Sequence, residues 1–188
     1  MAEKTQMITG KVRFSYLHVF EPRKQQSGAE RYSATLLIPK KDKKTLAKIK
    51  AAIAEAKSVY QARNGKSAEN FASTMHDGDG AKPKGDPYGP ECEGKYVLAV
   101  SSKDKPQIVD SDKMPITEKK GLYSGCYGRA VIRFYAFENS GNRGVTAELL
   151  GLMKLYDGEP LGGGIVTDEV WDEPYDDIEE EEDFDPLS

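Results

Sequence analysis

The sequence contains few of the residues on which metal binding and thiol chemistry usually depend. Among its 188 residues there are only two cysteines, Cys92 and Cys126, and two histidines, His18 and His76. No Cys-x-x-Cys pair is present, and the acids that follow His76 do not have the spacing of a calcium loop. We therefore expect no metal and no cofactor, and two cysteines that stay reduced rather than forming a disulfide.

Motifs of enzymes and of membrane proteins are also missing. The sequence has no G-x-x-x-x-G-K-[ST], no G-x-G-x-x-G after a strand and no G-x-S-x-G, and no helical pattern follows the glycine run at 162–164. Acids are concentrated at the C-terminal end, whereas nuclease chemistry needs carboxylates that converge within the folded body. Long apolar runs and an apolar N-terminal signal are lacking. These absences favour a non-enzymatic binding protein of the cytoplasm.

Charge, by contrast, is abundant and unevenly distributed. Residues 168–188 hold 12 acidic residues and no basic residue, so the other 167 residues hold 19 acidic and 27 basic residues, a net charge of +8. A basic body attracts polyanions, and an acidic tail can occupy the same positive field when no polyanion is bound. The commoner alternative is a tail that only raises solubility.

One stretch, residues 127–138, combines a core face with a face suited to nucleic acid. Side chains on a strand alternate between two faces. Small and apolar residues fall on the first face: Ala130, Ile132, Phe134 and Ala136. Cations and rings fall on the second: Arg129, Val131, Arg133, Tyr135 and Phe137. Guanidinium groups bind phosphate and rings stack on bases, which favours a nucleic-acid surface. The alternative is a second layer that covers the rings while the arginines reach water.

The remaining patterns predict further strands around a single helix. A strand over 7–20 ends at Pro22, with Val12, Phe14, Tyr16, His18 and Phe20 on one side and the buried side left open. Further strands are predicted over 30–38, 95–102, 107–110 and 145–156, with a hairpin loop at 139–144. Strict alternation in the last strand places Val145, Ala147, Leu149, Gly151, Met153 and Leu155 on one face and Leu152 on the other.

The helix is predicted between Asp42, a good N-cap, and Asn64-Gly65, a typical C-terminal signal. Its apolar residues recur every three or four positions, so it is amphipathic. Residues 67–94 are rich in Gly, Pro, Asp and Lys and predict a long loop insertion. Antiparallel strands, one helix and glycine bends predict a mainly β protein built on a small closed barrel.

Three segments and the tail resemble a known family. The segments are Lys11-Val12-Arg13-Phe14-Ser15-Tyr16, Tyr32-Ser33-Ala34-Thr35-Leu36-Leu37-Ile38-Pro39-Lys40, and Tyr123-Ser124-Gly125-Cys126-Tyr127-Gly128-Arg129-Ala130. With the acidic tail, they resemble bacteriophage single-stranded-DNA-binding proteins, especially a family long catalogued as a domain of unknown function. The likeness covers most of residues 7–158. It implies an OB-fold-like antiparallel barrel with a disordered acidic tail.

The resemblance also implies a function and a division of the chain. We expect an OB-fold domain over 1–158 that binds single-stranded DNA, a Gly-rich linker over 159–167 and an acidic tail over 168–188. In such families the tail competes with DNA and recruits replication and recombination proteins. The candidate partner-binding residues are Phe184, Asp185 and Leu187. The commonest form of the tail ends in phenylalanine, whereas here four residues follow Phe184.

Candidate DNA-binding residues come from the rings and cations of the predicted strands and loops. The stacking candidates are Tyr16, Tyr88, Tyr123, Tyr127, Tyr135 and Phe137. The phosphate candidates are Arg13, Lys40, Lys41, Arg129, Arg133 and Arg143. Three other functions stay open at this point: a protein-interaction adaptor with the barrel as scaffold, an RNA-binding module of the cold-shock type, and a nuclease or annealing accessory enzyme.

Overall fold

The computed structural model describes residues 4–25, 28–82, 85–139, 141–161, 171–174 and 176. The strands are β1 (Gln6–Ile8), β2 (Val12–Lys24), β3 (Glu30–Pro39), β4 (Met75–Asp77), β5 (Lys95–Ser102), β6 (Gln107–Val109), β7 (Tyr127–Asn139) and β8 (Asn142–Tyr156). The helix α1 (Lys43–Asn64) follows β3, and two 3₁₀ turns lie at Pro90–Cys92 and Lys119–Gly121. Within the described ranges, no helix is long and apolar enough to cross a membrane.

Five of the strands form a closed ring in the order β2–β3–β5–β8–β7 and back to β2. Neighbours in the ring are antiparallel except β5 and β8, which run parallel through Val100↔Ala147 and Ser101↔Glu148. Closure of the ring leaves no open edge among these five strands. The prediction of a mainly β, OB-fold-like barrel with one helix is confirmed, with one parallel pair in place of the purely antiparallel arrangement.

The remaining strands extend the ring. β1 pairs with β7, β4 pairs with β5, and β6 runs parallel to β8. The predicted core face of β7 is confirmed, because Ala130, Ile132 and Phe134 are fully buried. Ala136 lies at the margin of the same core. Each large apolar side chain buried here stabilises the fold by roughly 1.5–3 kcal/mol.

The helix begins and ends where its sequence signals predict. The Thr45 N–H donates to Asp42 Oδ1 at 3.1 Å, which satisfies a free donor of the first turn. Gly65 has φ 65°, the left-handed conformation that ends helices, and its N–H donates to Gln61 O. The buried side of α1 includes Ile49 and packs against β1, β7 and β8.

The first strand departs from its prediction at both ends. Residues 9–11 separate β1 from β2. The Thr9 N–H donates to Ala130 O at 2.9 Å and Thr9 Oγ1 accepts from the Ala130 N–H at 3.0 Å, which continues the pairing of β1 with β7. Pro22 does not end the strand; β2 continues to Lys24. The pairing of β2 with β3 is interrupted between His18 and Arg23, so the missing N–H of Pro22 removes no ladder hydrogen bond.

Two bulges change which residues face the core. In β2 the register shifts between Ser15 and His18, so Tyr16 points to solvent and Val19 is buried, against the predicted alternation. In β8 the pairing with β7 shifts between Val131 and Ile132, and Leu152 becomes a core residue. An extra residue in one strand reverses the faces of everything beyond it, which strict alternation does not anticipate.

Candidate nucleic-acid interface

The outer surface of β2, β3 and β5 forms a continuous floor of small side chains. Ser15 lies opposite Thr35, which lies opposite Ala99, and the three share one face of the sheet. Leu37 is the next residue of β3 on this face after Thr35, and it lies opposite Arg13 of β2. We call this surface the β2–β3–β5 face. Ala99 is exposed, whereas Ser15 and Leu37 are buried by neighbouring groups.

Four cations and rings meet at one end of this face, where β2, β7 and β8 come together. The Arg13 guanidinium lies 5.3 Å from the centre of the Tyr127 ring. Lys11 Nζ lies 5.9 Å from the Tyr127 ring and 5.6 Å from the Tyr156 ring. Tyr156 is 59% exposed. This basic-aromatic corner (Lys11, Arg13, Tyr127, Tyr156) offers both charge for phosphates and ring faces for bases.

Tyr16 borders the face in a strained backbone conformation. Its φ is 46°, a region that residues with a Cβ rarely occupy, and its side chain is 62% exposed. Beside it lies a pocket of about 170 Å³, to which Tyr88 and Lys82 of the 78–94 loop contribute. Backbone strain combined with an exposed ring is more typical of a binding residue than of a packing residue.

The loop insertion is anchored to the barrel by a lysine that was predicted to bind phosphate. Lys40 Nζ lies 2.6 Å from Asp77 Oδ1 and 2.7 Å from Asp79 Oδ2. Lys40 lowers the pKa of both carboxyl groups, chiefly through these hydrogen bonds, and they raise the pKa of Lys40. Lys40 is therefore paired within the protein, whereas its neighbour Lys41 is exposed. Part of the predicted loop is also ordered as β4, which was not anticipated.

The chain that follows β8 returns to the β2–β3–β5 face. Arg13 Nη2 donates to Glu159 O at 2.7 Å, and Arg13 Nε donates to Gly125 O at 3.1 Å. Leu161 N–H donates to Ser124 O at 2.9 Å. The Leu161 side chain packs against a small apolar cluster on the face, formed by Leu37, Cys92, Val97 and Tyr88. We call residues 157–161 the strap.

Tyr123 holds the start of the strap rather than standing free. Its hydroxyl lies 3.2 Å from Asp157 Oδ1 and 3.0 Å from Gly158 O. Lys154 Nζ lies 2.6 Å from the same Asp157 oxygen. Burial, reinforced by nearby acidic groups, raises the pKa of Tyr123 to about 12. This geometry gives Tyr123 a structural role, and the stacking role stays a prediction.

The other predicted residues of β7 lie on a second surface, the outer face of β7 and β8. Arg129 Nε donates to Thr9 O at 2.8 Å, and Arg133 Nη2 pairs with Glu148 Oε2 at 3.0 Å. The Tyr135 and Phe137 rings lie 6.4 Å apart.

Arg143, beyond the hairpin turn, stacks 5.9 Å from the ring centre of Phe71. The structure therefore divides the predicted site. Arg13, Tyr16, Tyr88 and Tyr127 border the β2–β3–β5 face, whereas Arg129, Arg133, Tyr135, Phe137 and Arg143 belong to the second surface.

Two residues of the corner were missed by the sequence prediction. Lys11 and Tyr156 flank the predicted pair Arg13 and Tyr127, and Tyr156 lies directly opposite Tyr127 in the β7–β8 hairpin. Counting back from the predicted hairpin loop would have placed the two tyrosines near each other. The tail candidates Phe184, Asp185 and Leu187 lie outside the described residues.

The two cysteines do not form a reactive site. Both Cys92 and Cys126 are free thiols, as predicted, and both are buried. Burial raises the pKa of each thiol, so little thiolate is present at neutral pH. Cys126 belongs to the main core, and Cys92 lies in the apolar cluster beneath the strap.

Several known proteins are similar to this chain in sequence and in fold. A family model described as Enterobacter phage Enc34, ssDNA-binding protein, matches residues 5–184. The putative protein p50 of Acyrthosiphon pisum secondary endosymbiont phage 1 is 32% identical over 172 residues, covering 86% of this chain and 90% of that protein.

Two solved structures extend the comparison. The structure of the phage Enc34 single-stranded-DNA-binding protein in complex with ssDNA is 28% identical, with a TM-score of 0.68 over 85% of this chain and 91% of that one. The bacteriophage T7 single-stranded-DNA-binding protein gp2.5, 13% identical, shares the fold with a TM-score of 0.55 over 89% of this chain and 100% of that one. The chain belongs to the ssDNA-binding protein family of Enterobacter phage Enc34.

Proposed function

We propose that this protein binds single-stranded DNA, with little regard to sequence, on its β2–β3–β5 face. The observation that carries the proposal is the basic-aromatic corner, in which Arg13 and Lys11 lie over tyrosine rings at the end of this face. The Enc34 relative, solved in complex with ssDNA, has the same fold and supports this proposal.

Each part of the face supplies one component of binding. Lys11 and Arg13 neutralise phosphates, which makes affinity fall as salt rises. Tyr16, Tyr127 and Tyr156 present ring faces, and stacking of a base contributes about 1–3 kcal/mol irrespective of its identity. The floor between them carries the small groups of Ser15, Thr35 and Ala99 rather than the long amide or guanidinium side chains that read base edges. Stacking on such a surface favours sequence tolerance.

We further propose that the acidic tail competes with DNA for this face. The division into a binding domain (1–158), a linker (159–167) and a tail (168–188) follows the sequence pattern. The strap supports the competition, because it places Leu161 on the face itself. The tail begins about seven positions after Leu161, a reach of about 25 Å. Displacement of the tail by DNA would then expose Phe184, Asp185 and Leu187 to replication and recombination proteins.

The test is fluorescence anisotropy of a labelled oligo-dT at several salt concentrations. The full chain is compared with a full-length variant in which acidic residues 179–183 are replaced by Gln and Asn. We expect salt-sensitive binding to the single strand, weak competition by duplex DNA and by RNA, and tighter binding by the variant. Equal competition by RNA would favour a cold-shock-type module. Absence of binding by both forms at low salt would overturn the proposal and favour the adaptor.

A further inference from the structure

A second pair of cations lies at the opposite end of the β2–β3–β5 face. Arg23 on β2 is directly opposite Arg31 on β3. Directly opposed residues of antiparallel strands project from the same face, and Arg31 shares its face of β3 with Ser33, Thr35 and Leu37. The two arginines therefore lie on the floor that leads from Arg13.

This arrangement is unfavourable for the protein alone. Like charges that face each other across two strands destabilise the pairing. The Nε of Arg31 is also buried without an acceptor. Within the described ranges, neither arginine has an ion-pair partner, and the cross-strand acid Glu30 lies opposite Lys24 instead. A buried donor without an acceptor costs stability that a bound anion can offset.

His18 lies close enough to Arg23 to be affected by its charge. It lies opposite Ser33, the next outward residue of β3 after Arg31. Partial burial, and then the charge of Arg23, lower the pKa of His18. The field at this end of the face therefore disfavours additional positive charge and attracts negative charge.

We propose that Arg23 and Arg31 bind a backbone phosphate of the DNA strand at the β2–β3 hairpin end of the face. The inference rests on the proposed function and extends it. Leu37, opposite Arg13, lies about six positions beyond Arg31 on β3, a distance of about 20 Å along the strand. A single strand that lies along β3 meets cations at both ends of the floor and small side chains between them. Paired arginine forks suit phosphate oxygens better than a single lysine does.

The experiment compares Arg23→Gln, Arg31→Gln and the double variant with the full chain in oligo-dT anisotropy at several salt concentrations. Arg63→Gln is the matched control for each single variant, because it also removes one positive charge, from the exposed last turn of α1. We expect the double variant to bind about tenfold more weakly at low salt. Its salt dependence, the slope of log K against log salt, should be shallower by about 0.7 for each phosphate that the arginines no longer neutralise. The control should bind like the unaltered protein.

Thermal unfolding separates lost binding from lost folding. Arg23→Gln removes the like-charge opposition, so its melting temperature should equal or exceed that of the unaltered protein. Double-variant affinity equal to that of Arg63→Gln, while the unaltered chain still binds, would overturn the phosphate site but leave the proposed function intact. Absence of binding by the unaltered chain would overturn both.

Carboxylates of the acidic tail could bind the two arginines in place of DNA phosphate. The same variants distinguish these two anions. The arginine substitutions are therefore repeated in the full-length form with residues 179–183 neutralised. A loss of affinity that persists in this form supports contact with the DNA phosphate. Tighter DNA binding by the double variant in the native chain, and no change in the neutralised form, would assign the arginines to the tail and contradict the proposal.

Discussion

Arg13 and Glu159, 146 residues apart in the chain, are joined by a 2.7 Å hydrogen bond from the guanidinium Nη2 to the backbone carbonyl. Arg13 also belongs to the basic-aromatic corner, where its guanidinium lies over the Tyr127 ring. One residue of the candidate binding surface is thus held by the segment that leads to the acidic tail. Under the proposed function, DNA that binds Arg13 would have to replace this hydrogen bond, which would couple binding to release of the strap.

Weakening the strap should therefore strengthen DNA binding. Leu161→Ala removes most of the apolar contact with the cluster around Leu37 and Val97. Partial burial of such a side chain contributes on the order of 1 kcal/mol, so we expect an affinity gain of about two- to tenfold. Oligo-dT anisotropy measures it, with the volume-conserving Leu161→Met as control. A variant that binds DNA no more tightly than the control would show that the strap does not compete.

Substitutions of Tyr16 separate the effect of base stacking on DNA affinity from the effect of backbone strain on stability. Tyr16→Gly should weaken DNA binding by about 1–3 kcal/mol, the contribution of one stacked base. The same change should leave stability unaltered or raise it by about 1 kcal/mol, because glycine adopts the φ of 46° without strain. Tyr16→Phe keeps the ring and should bind normally. Parallel loss of binding and of melting temperature in the glycine variant would assign Tyr16 to packing.

Lys40 should act as an anchor of the 78–94 loop and not as a phosphate ligand. Lys40→Met breaks the pairing with Asp77 and Asp79. We expect Cys92, a buried residue of this loop, to react faster with a thiol reagent at pH 8 while Cys126 in the main core stays protected. A flatter salt dependence of DNA binding with unchanged Cys92 reactivity would instead support the role predicted from the sequence.

Acid should loosen the same anchor. The pKa values of Asp77 and Asp79 in the folded state lie below the usual 3.8, chiefly because each accepts a hydrogen bond from Lys40. Their contribution is complete above that pH and is lost as the pH falls through the folded values. Hydrogen exchange, corrected for its intrinsic pH dependence, should show reduced protection of β4 only below about pH 4. Reduced protection already at pH 6 would contradict this assignment.

Gly128 should tolerate no side chain, because both β8 and the Phe14 ring of β2 approach β7 closely at that point. A Cβ there would lie 2.0 Å from Met153 O and 2.8 Å from the Phe14 ring. We expect Gly128→Ala to lower the free energy of unfolding by about 1–3 kcal/mol, measured by urea denaturation. Gly80→Ala, where the nearest atom is Asp77 O at an ordinary 3.4 Å, is the control. Equal stability of both variants would show that the barrel adjusts freely.

Local patterns predicted the elements well, because their signals lie within a few residues. The Asp42 cap, the Gly65 stop and the buried side of β7 were all correct. The extent and faces of β2 were not, because a bulge at Tyr16 and a gap in pairing at Pro22 depend on the partner strand. Bulges of this kind leave little trace in the sequence of one strand.

The candidate site was only partly predictable, because it depends on how distant strands meet. Sequence alone grouped Arg13 with Arg133, although β7 pairs with β2 only through Tyr127 and Gly128 and carries Arg133 onto the second surface. The sequence alone could not predict that Lys40 forms ion pairs with two aspartates or that the Tyr123 hydroxyl contacts Asp157 of the strap. The sequence showed which side chains can bind phosphate or stack on bases, but not which of them are paired with other residues of the protein.

We propose that DNA lies on the β2–β3–β5 face and displaces the strap. The most direct test is an NMR titration of the ¹⁵N-labelled full chain with oligo-dT. We predict that the amide shifts change most along residues 11–16 of β2, 31–37 of β3 and 97–101 of β5, and that the signals of residues 157–161 move toward those of an unstructured chain. Changes confined to β7 and β8 around Arg133, Tyr135 and Phe137, with the strap signals unaltered, would contradict the account.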